Sequence, residues 1–264
     1  MATDQGVYLY AVTRDEGAGP DALTGVAGAP VRRLAHRGLA AFLSTVSLAE
    51  FGEEALRRSM EDLAWLEETA RTHHRVVEAI ARLRPTAPVR LVTVYTGEAQ
   101  VRELLDERHE QFTSVLSRVT GRQEWGVKAY AVPGAAEPAA DPVDGPQGAS
   151  PGAAYLNRRR AALRGREADW RRAAEHAQAV HEALMDVAVV GRRHRAQDPQ
   201  LSGRREQMVL NGAYLVDEDR AAEFTRLIED IVEQGVAVEL VGPWAPYSFA
   251  ALDQEGEAAY GDGS

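Results

Sequence analysis

The sequence of 264 residues contains no cysteine and only one lysine, Lys128. Without thiols the chain can form neither disulfide bonds nor thiolate metal sites. No apolar run reaches the roughly 20 residues that a membrane-spanning helix needs. Residues 1–12 lack the basic stretch and apolar core of a signal peptide. These absences predict a soluble cytoplasmic protein that has no membrane partner.

Charge is distributed unevenly along the chain. The formal net charge of −10 disfavours general binding to nucleic acids or anionic membranes. Residues 157–205 depart from this pattern, because they hold twelve arginines against six acidic residues, a local excess of +6. The segment is either a solvated, self-paired helix face or a contact surface for an acidic partner or a nucleic acid. We expect it to serve protein contacts and to bind no nucleic acid.

The N-terminal half mixes β-rich and amphipathic segments. Strands are predicted at residues 7–12, 31–34, 39–46, 89–95 and 124–132, with the second and third paired as a hairpin. One helix is predicted over residues 53–82, with Leu63, Leu66, Ala70, Val77 and Ile80 on its apolar face. A second helix is predicted between a capping Thr96 and Gly121. This mixture favours an α+β domain over residues 1–132, with both helices on one face of a small, mainly antiparallel sheet.

Residues 133–151 are mostly Pro, Gly, Ala and Asp, which predicts a linker because too few large apolar side chains are present to pack. Residues 155–187 then predict a long helix. Its seam has a period near 3.5 and consists of Leu156, Leu163, Trp170, Ala174, Ala177 and Leu184.

The remaining residues predict two strands, 187–195 and 207–216, followed by a helix and a strand. Asp217 is expected to cap that helix, and Gly235 to end it before the strand 236–241. Its apolar face consists of Phe224, Leu227, Ile228, Ile231 and Val232. The order α-β-β-α-β predicts a ferredoxin-like domain over residues 152–264, with disordered last residues.

Two catalytic motifs fail on their context, and a third is absent. Residues 148–152 have the letters of a nucleophile elbow, but Pro151 lacks the N–H that an oxyanion hole requires. His181 and Glu182 begin a zincin motif, yet Met185 stands where the second histidine is needed. A glycine-rich phosphate loop is absent from the sequence. We therefore expect no catalytic residue, no cofactor and no metal site, and predict that the chain is not an enzyme.

Two adjacent histidines lie on the first predicted helix. His73 falls on the apolar stripe and is predicted to be partly buried and hydrogen-bonded. His74 and Glu78 are spaced i,i+4, which is typical of an exposed surface pair.

Five segments, in matching order, resemble the gas vesicle GvpF/GvpL family. They are YLYAV at 8–12, LAEFGEEAL at 48–56, EWGVKAY at 124–130, LNGAYLV at 210–216 and GPWAPYSF at 242–249. The resemblance covers nearly the whole chain outside residues 133–151. It implies a gas vesicle accessory protein that binds the small hydrophobic shell subunit, and other accessory proteins, during nucleation. It also implies a minor component associated with gas vesicles, in a family without recognised catalytic residues.

Two other functions remain open from the residues themselves. One is an enzyme with an unrecognised acidic or histidine site, and it predicts a concave pocket with several titratable groups. The other is a nucleic-acid-associated protein that uses the arginine-rich helix, and it predicts binding that weakens steeply with salt.

The predicted partner-binding residues lie near the C-terminus and are Pro243, Trp244, Pro246, Tyr247 and Phe249. The two prolines exclude an interior strand. Trp and Tyr are enriched among the residues that dominate binding energies. Either the three rings fold back over the end of the C-terminal sheet, or they form an apolar docking surface for the shell subunit together with strand 236–241.

Overall fold

The computed structural model describes residues 5–17, 20, 22–130, 151–197, 208–233 and 237–250. The predicted linker, apart from Pro151, lies outside these ranges, as do Gly235 and the last residues, which were predicted to be disordered. The chain divides into two units. The N-terminal unit comprises Met1–Glu124 and Trp244–Ser264, and the C-terminal unit comprises Trp125–Pro243.

The N-terminal unit is built on an antiparallel sheet in the order β2-β3-β1-β4. Its strands are β1 (Gln5–Arg14), β2 (Arg32–His36), β3 (Leu39–Ser47) and β4 (Thr86–Tyr95). The predicted hairpin is confirmed, because His36 pairs with Leu39 across a two-residue turn. Arg37 and Gly38 both adopt positive φ in that turn, the backbone conformation that short hairpin turns require.

The helices of this unit differ from the prediction in where they break. They are α1 (Leu48–Phe51), α2 (Glu53–Ser59), α3 (Leu63–Ala81), α4 (Glu98–Glu107) and α5 (His109–Val119). The single helix predicted over residues 53–82 is therefore wrong. Asp62 starts α3 instead, since its carboxylate accepts the backbone N–H groups of Ala64 and Trp65 at 3.0 and 3.3 Å.

The break changes which side chains α3 buries. Leu63, predicted on the apolar stripe, is the first residue of α3 and is 78% exposed. The buried residues of α3 are Thr69, Thr72, His73, Val76, Val77 and Ile80. The second predicted helix is also divided, at Arg108, and its cap is Gly97. Thr96 instead hydrogen-bonds Gln100 Oε1 through its N–H and its hydroxyl, at 2.8 and 2.9 Å.

The sheet of the N-terminal unit is covered on both faces, whereas the sequence predicted both helices on one face. Tyr8 and Tyr10 of β1 pack in the same cluster as Val76 and Ile80 of α3. Leu9, between them, packs in a different cluster with α4 and α5. Successive side chains of a strand point to opposite faces. The unbroken run of buried residues along β1 therefore fits a strand covered on both sides.

The C-terminal unit contains a second sheet, in the order β6-β7-β5-β8. Its strands are β5 (Arg122–Tyr130), β6 (Val190–Arg193), β7 (Met208–Asp217) and β8 (Ala237–Trp244), and its helices are α6 (Pro151–Val187) and α7 (Ala221–Glu233). The order β-α-β-β-α-β, with β5 beside β7, is the ferredoxin-like arrangement that the sequence predicted. Its first strand, β5, was assigned by the sequence to the other domain.

The core of the C-terminal unit forms between the sheet and its two helices. Phe224, Ile228 and Ile231 of α7 are buried there, as predicted, whereas Val232 is 46% exposed. Among the described residues of the long helix α6, the buried ones are Ala177, Val180, Leu184 and Val187. Asp217 precedes a 3-10 turn, Glu218–Arg220, and makes no side-chain cap there, in contrast to the prediction. Arg220 donates to the carbonyl oxygen of Val187 at 2.9 Å, at the end of α6.

Candidate functional site

Residues 244–250, here called the aromatic segment, pack on the N-terminal unit. The segment ends in a short helix, α8 (Tyr247–Ala250), which contacts β4 and α5. Ala245 and Tyr247 join the cluster of Tyr8 and Tyr10. The prediction that the rings cover the end of the C-terminal sheet is therefore wrong. The chain leaves that sheet at Trp244, where β8 ends.

A buried carboxylate anchors the aromatic segment. Glu124 Oε2 accepts the backbone N–H of Ser248 at 2.8 Å, and Oε1 accepts the Ser248 hydroxyl at 2.6 Å. Glu124 is only 7% exposed, and both hydrogen bonds are partly buried. Breaking a buried hydrogen bond is costly, because the polar group that remains is left unsatisfied. This pair therefore fixes the position of α8 on its unit.

His73 lies beneath the segment, buried and hydrogen-bonded, as the sequence predicted. Its Nδ1 is 3.0 Å from Tyr8 Oη, and only 3% of the residue is exposed. Burial lowers the pKa of His73 to about 4, against an opposing contribution from the backbone of Val89. Burial also raises the pKa of Tyr8. Both groups are therefore neutral near pH 7.

A distorted stretch of β4 gives Tyr8 a second hydrogen-bond partner, besides His73. The pairing of β1 with β4 jumps from Leu9–Thr93 to Ala11–Pro88, so residues 89–92 bulge out of the ladder. Val92 within the bulge has φ = 62°, which is a genuine outlier for a β-branched side chain. In this conformation its N–H donates to Tyr8 Oη at 3.0 Å. The bulge thus supplies a hydrogen bond to the buried tyrosine.

His74 contacts the aromatic segment through its ring. Its ring centre lies 5.3 Å from that of Trp244 and 6.1 Å from that of Tyr247. Glu78, the predicted partner of His74, forms an ion pair with Arg82 at 3.2 Å. The two adjacent histidines therefore both serve the packing of the segment, one buried below it and one at its side.

Comparisons with known proteins give the family. The model of the gas vesicle synthesis proteins GvpL/GvpF matches residues 6–251. The chain belongs to this family. Gas vesicle protein L of Streptomyces sp. strain CB03234 is 43% identical over 97% of this chain and 96% of its own length. Gas vesicle protein L1 of Halobacterium salinarum is 29% identical over 72% of this chain and 73% of its own length.

Two solved structures share the fold of this GvpL/GvpF family member. The crystal structure of GvpF from Anabaena sp. PCC7120 aligns with a TM-score of 0.65 and 19% identity, covering 94% of this chain and 96% of that one. GvpF from Microcystis aeruginosa gives the same TM-score and identity, covering 93% and 99%. Both confirm the predicted α+β architecture of two helix-covered sheets.

The predicted partner-binding residues of this GvpL/GvpF protein differ in their exposure. Phe249 is 1% exposed, Pro246 is buried and Tyr247 is half-buried. Trp244 is 40% exposed and Pro243 is also exposed. In this conformation only Pro243 and Trp244 can offer much surface to a partner. The other three hold the segment in place.

The sequence analysis did not predict a second pair of exposed apolar side chains, in the N-terminal unit. Met60 is 49% exposed and Leu63 is 78% exposed, on either side of the break between α2 and α3. Asp62 is the signal for the break between the two helices, because Asp is a preferred N-cap residue.

The histidine of the incomplete zincin motif has a structural partner in this family member. His181 Nδ1 lies 2.7 Å from Tyr214 Oη, and burial lowers the pKa of His181. Among the described residues, no group of three His, Asp or Glu side chains could hold a metal ion. Within the same ranges, none of the helices combines the length and the apolar character needed to cross a membrane. A shallow cleft of about 370 Å³ lies along α1 and α2, lined by Leu48, Ala55 and Arg58 among others.

Proposed function

We propose that this chain is an accessory protein of gas vesicle assembly that binds the small hydrophobic shell subunit during nucleation. It works without catalysis, in the cytoplasm, alongside other gas vesicle accessory proteins. The observation that carries the proposal is the family match over residues 6–251, which extends from β1 to the end of the aromatic segment. A role in gas vesicles follows from the family, and the shell subunit is the apolar component that such a protein would have to handle.

The surface proposed for the shell subunit is centred on Trp244, with Pro243 beside it. A large indole that is 40% exposed offers apolar contact area of the kind that dominates binding energies. The segment that follows is already anchored by the Glu124–Ser248 hydrogen bonds. Docking would therefore cost little ordering entropy, which favours binding.

The test is a co-expression pull-down of the shell subunit with Trp244→Ala. We expect loss of the shell subunit and a smaller fall in melting temperature than in Phe249→Ala, because Trp244 is 40% exposed. Phe249→Ala is the structural counterpart. Truncating a buried phenylalanine costs about 3–5 kcal/mol, so this variant should melt several degrees lower. Its folded fraction should still capture the shell subunit.

The matched control removes apolar surface elsewhere in the same unit. Met60→Ser combined with Leu63→Ser leaves the aromatic segment intact and should retain the shell subunit. If Trp244→Ala still captures the shell subunit and the double variant does not, the docking site lies instead at the break between α2 and α3. Failure of the wild-type chain to capture the shell subunit would refute the proposed function itself.

We further propose that the chain remains with the vesicle as a minor component. Gas vesicles purified from a producing strain should contain it in amounts far below the shell subunit, as measured by quantitative mass spectrometry. Its complete absence from washed vesicles would limit its action to assembly.

A further inference from the structure

Helix α6 extends well beyond the described residues that it contributes to the core of its unit. Its 37 residues span about 55 Å at 1.5 Å per residue. Among the residues of α6 whose burial is described, the core residues all lie between Ala177 and Val187. The preceding residues, 151–172, are here called the helical arm. Every residue of the arm whose burial is described is exposed: Arg159, Arg160, Leu163, Arg164, Gly165, Arg171 and Arg172.

Charge is segregated along the same helix. The arm contains seven arginines and two acidic residues, an excess of +5. The remainder of α6, residues 173–187, contains three acidic residues and no arginine. Every arginine of α6 thus precedes Ala177, the first described core residue of the helix.

An apolar seam continues from the packed part of α6 into the arm. The buried residues Ala177, Val180, Leu184 and Val187 are spaced three and four apart, which is the spacing of a coiled-coil seam. In sequence the seven-residue spacing runs back from Ala177 through Trp170, Leu163 and Leu156. Leu163 is 50% exposed, so the seam is accessible at this point. Arginines lie one turn before Leu163, at Arg159 and Arg160, and one turn after it, at Arg166.

We propose that the helical arm binds an acidic amphipathic helix of a partner protein. The partner places apolar side chains along the seam at Leu163 and carboxylates against the flanking arginines. The proposal does not depend on binding of the shell subunit.

Charge and the width of the seam decide among the possible occupants. A second copy of the arm is disfavoured, because two like-charged arms repel each other along their length. A nucleic acid would use the arginines and leave the apolar seam without a function. A membrane surface is contacted by a broad apolar face, whereas the large apolar side chains of the arm recur only once every seven residues, which makes a narrow stripe. The helix of a partner protein uses both features.

The probe is a designed 28-residue helical peptide with Leu at positions a and d of each heptad and Glu at e and g. Its control carries Lys at e and g. Titrating each labelled peptide with the full-length protein, and following fluorescence anisotropy, should give at least about tenfold tighter binding of the acidic peptide. A disordered peptide of Glu and Ser with the same charge should bind about tenfold more weakly than the acidic helix, because it lacks the apolar seam.

Variants of the arm connect the binding to this surface. Arg160→Glu with Arg164→Glu should lose the acidic peptide and gain the basic one. Leu163→Gln should weaken the acidic peptide without any gain of the basic one. Arg57→Glu with Arg58→Glu, exposed on α2, makes the same change in net charge and should leave the preference unchanged. If circular dichroism shows that the charge-reversed arm loses helix, Arg160→Gln with Arg164→Gln replaces it and should weaken the acidic peptide.

Several results would overturn the proposal. Equal binding of the acidic and basic peptides would exclude charge recognition, and equal binding of the helical and disordered acidic peptides would exclude the seam. Tighter binding of a 20-base-pair DNA duplex, or of phosphatidylserine vesicles, than of the acidic peptide would assign the arm to those ligands. An acidic peptide that binds the charge-reversed arm as tightly as the wild type would show that it binds elsewhere.

Discussion

Glu124 and Ser248 are joined by two hydrogen bonds, at 2.8 Å to the serine N–H and 2.6 Å to its hydroxyl. The two residues are separated by 124 positions in sequence. Glu124 lies at the start of β5, and Ser248 lies in α8. The contact fixes the aromatic segment on the N-terminal unit and leaves Trp244 at its exposed beginning.

Removing the carboxylate should destabilise the protein. Glu124→Ala deletes both hydrogen bonds at a buried position, and we expect a loss of about 2–3 kcal/mol in the free energy of unfolding. Ser248→Ala deletes only the bond from the hydroxyl and should cost about 1 kcal/mol. Urea denaturation followed by tryptophan fluorescence measures both. Glu103→Ala, exposed on α4, is the control and should change stability by less than about 0.5 kcal/mol. A Glu124→Ala variant as stable as this control would show that the pair contributes nothing.

Cleavage within the predicted linker should leave the two fragments associated. Limited proteolysis is expected to cut first at residues 133–151, because their composition is that of a linker. Strand β5 lies on one side of the cut, yet it sits between β7 and β8 in the C-terminal sheet. The aromatic segment lies on the other side, yet it packs in the N-terminal unit. The fragments should therefore co-elute in size-exclusion chromatography and separate only in denaturant. Separation under native conditions, or early cleavage within residues 53–82, would contradict this division.

The stability of the protein should fall in mild acid because of His73. Its folded-state pKa of about 4 is below the ordinary value of about 6.5, so the unfolded chain binds a proton that the folded chain does not. The stabilisation from neutral His73 is complete above pH 6.5 and is lost as the pH falls towards 4, in total on the order of 3 kcal/mol. Comparing wild type with His73→Gln at each pH isolates this contribution from that of the carboxylates. A difference between the two proteins that stays constant from pH 7 to pH 4 would show that His73 titrates normally.

The helical arm should gain stability from Gly165→Ala. A Cβ at Gly165 would meet no atom within 4 Å apart from its chain neighbours and the backbone of its own helix. The substitution removes the entropic penalty of glycine in a helix interior, about 0.5–1 kcal/mol. Amide hydrogen exchange along α6 should slow near residue 165. Gly126→Ala is the contrasting variant, because its Cβ would lie 2.6 Å from Val241 Cγ2, and it should destabilise the C-terminal unit. Faster exchange around Gly165→Ala would show that the arm is not a regular helix in solution.

Local features of the sequence determined much of the fold. The turn at Arg37 and Gly38 could be predicted because short hairpin turns require positive φ, which glycine adopts readily. Phe224, Ile228 and Ile231 were placed correctly by helical spacing. The burial of His73 followed from its position on the stripe. Each of these features depends on residues close together in the chain, where backbone geometry alone relates one side chain to the next.

The tertiary structure decided which distant segments meet. β5 was recognisable as a strand, but its place in the C-terminal sheet depends on pairing with residues far along the chain, which no local pattern encodes. Likewise, the aromatic segment was recognisable by its rings and prolines. Only the fold showed that Phe249 is buried while Trp244 remains partly exposed. The apolar character of a residue indicates that its burial is favourable, but it does not indicate which surface will bury it.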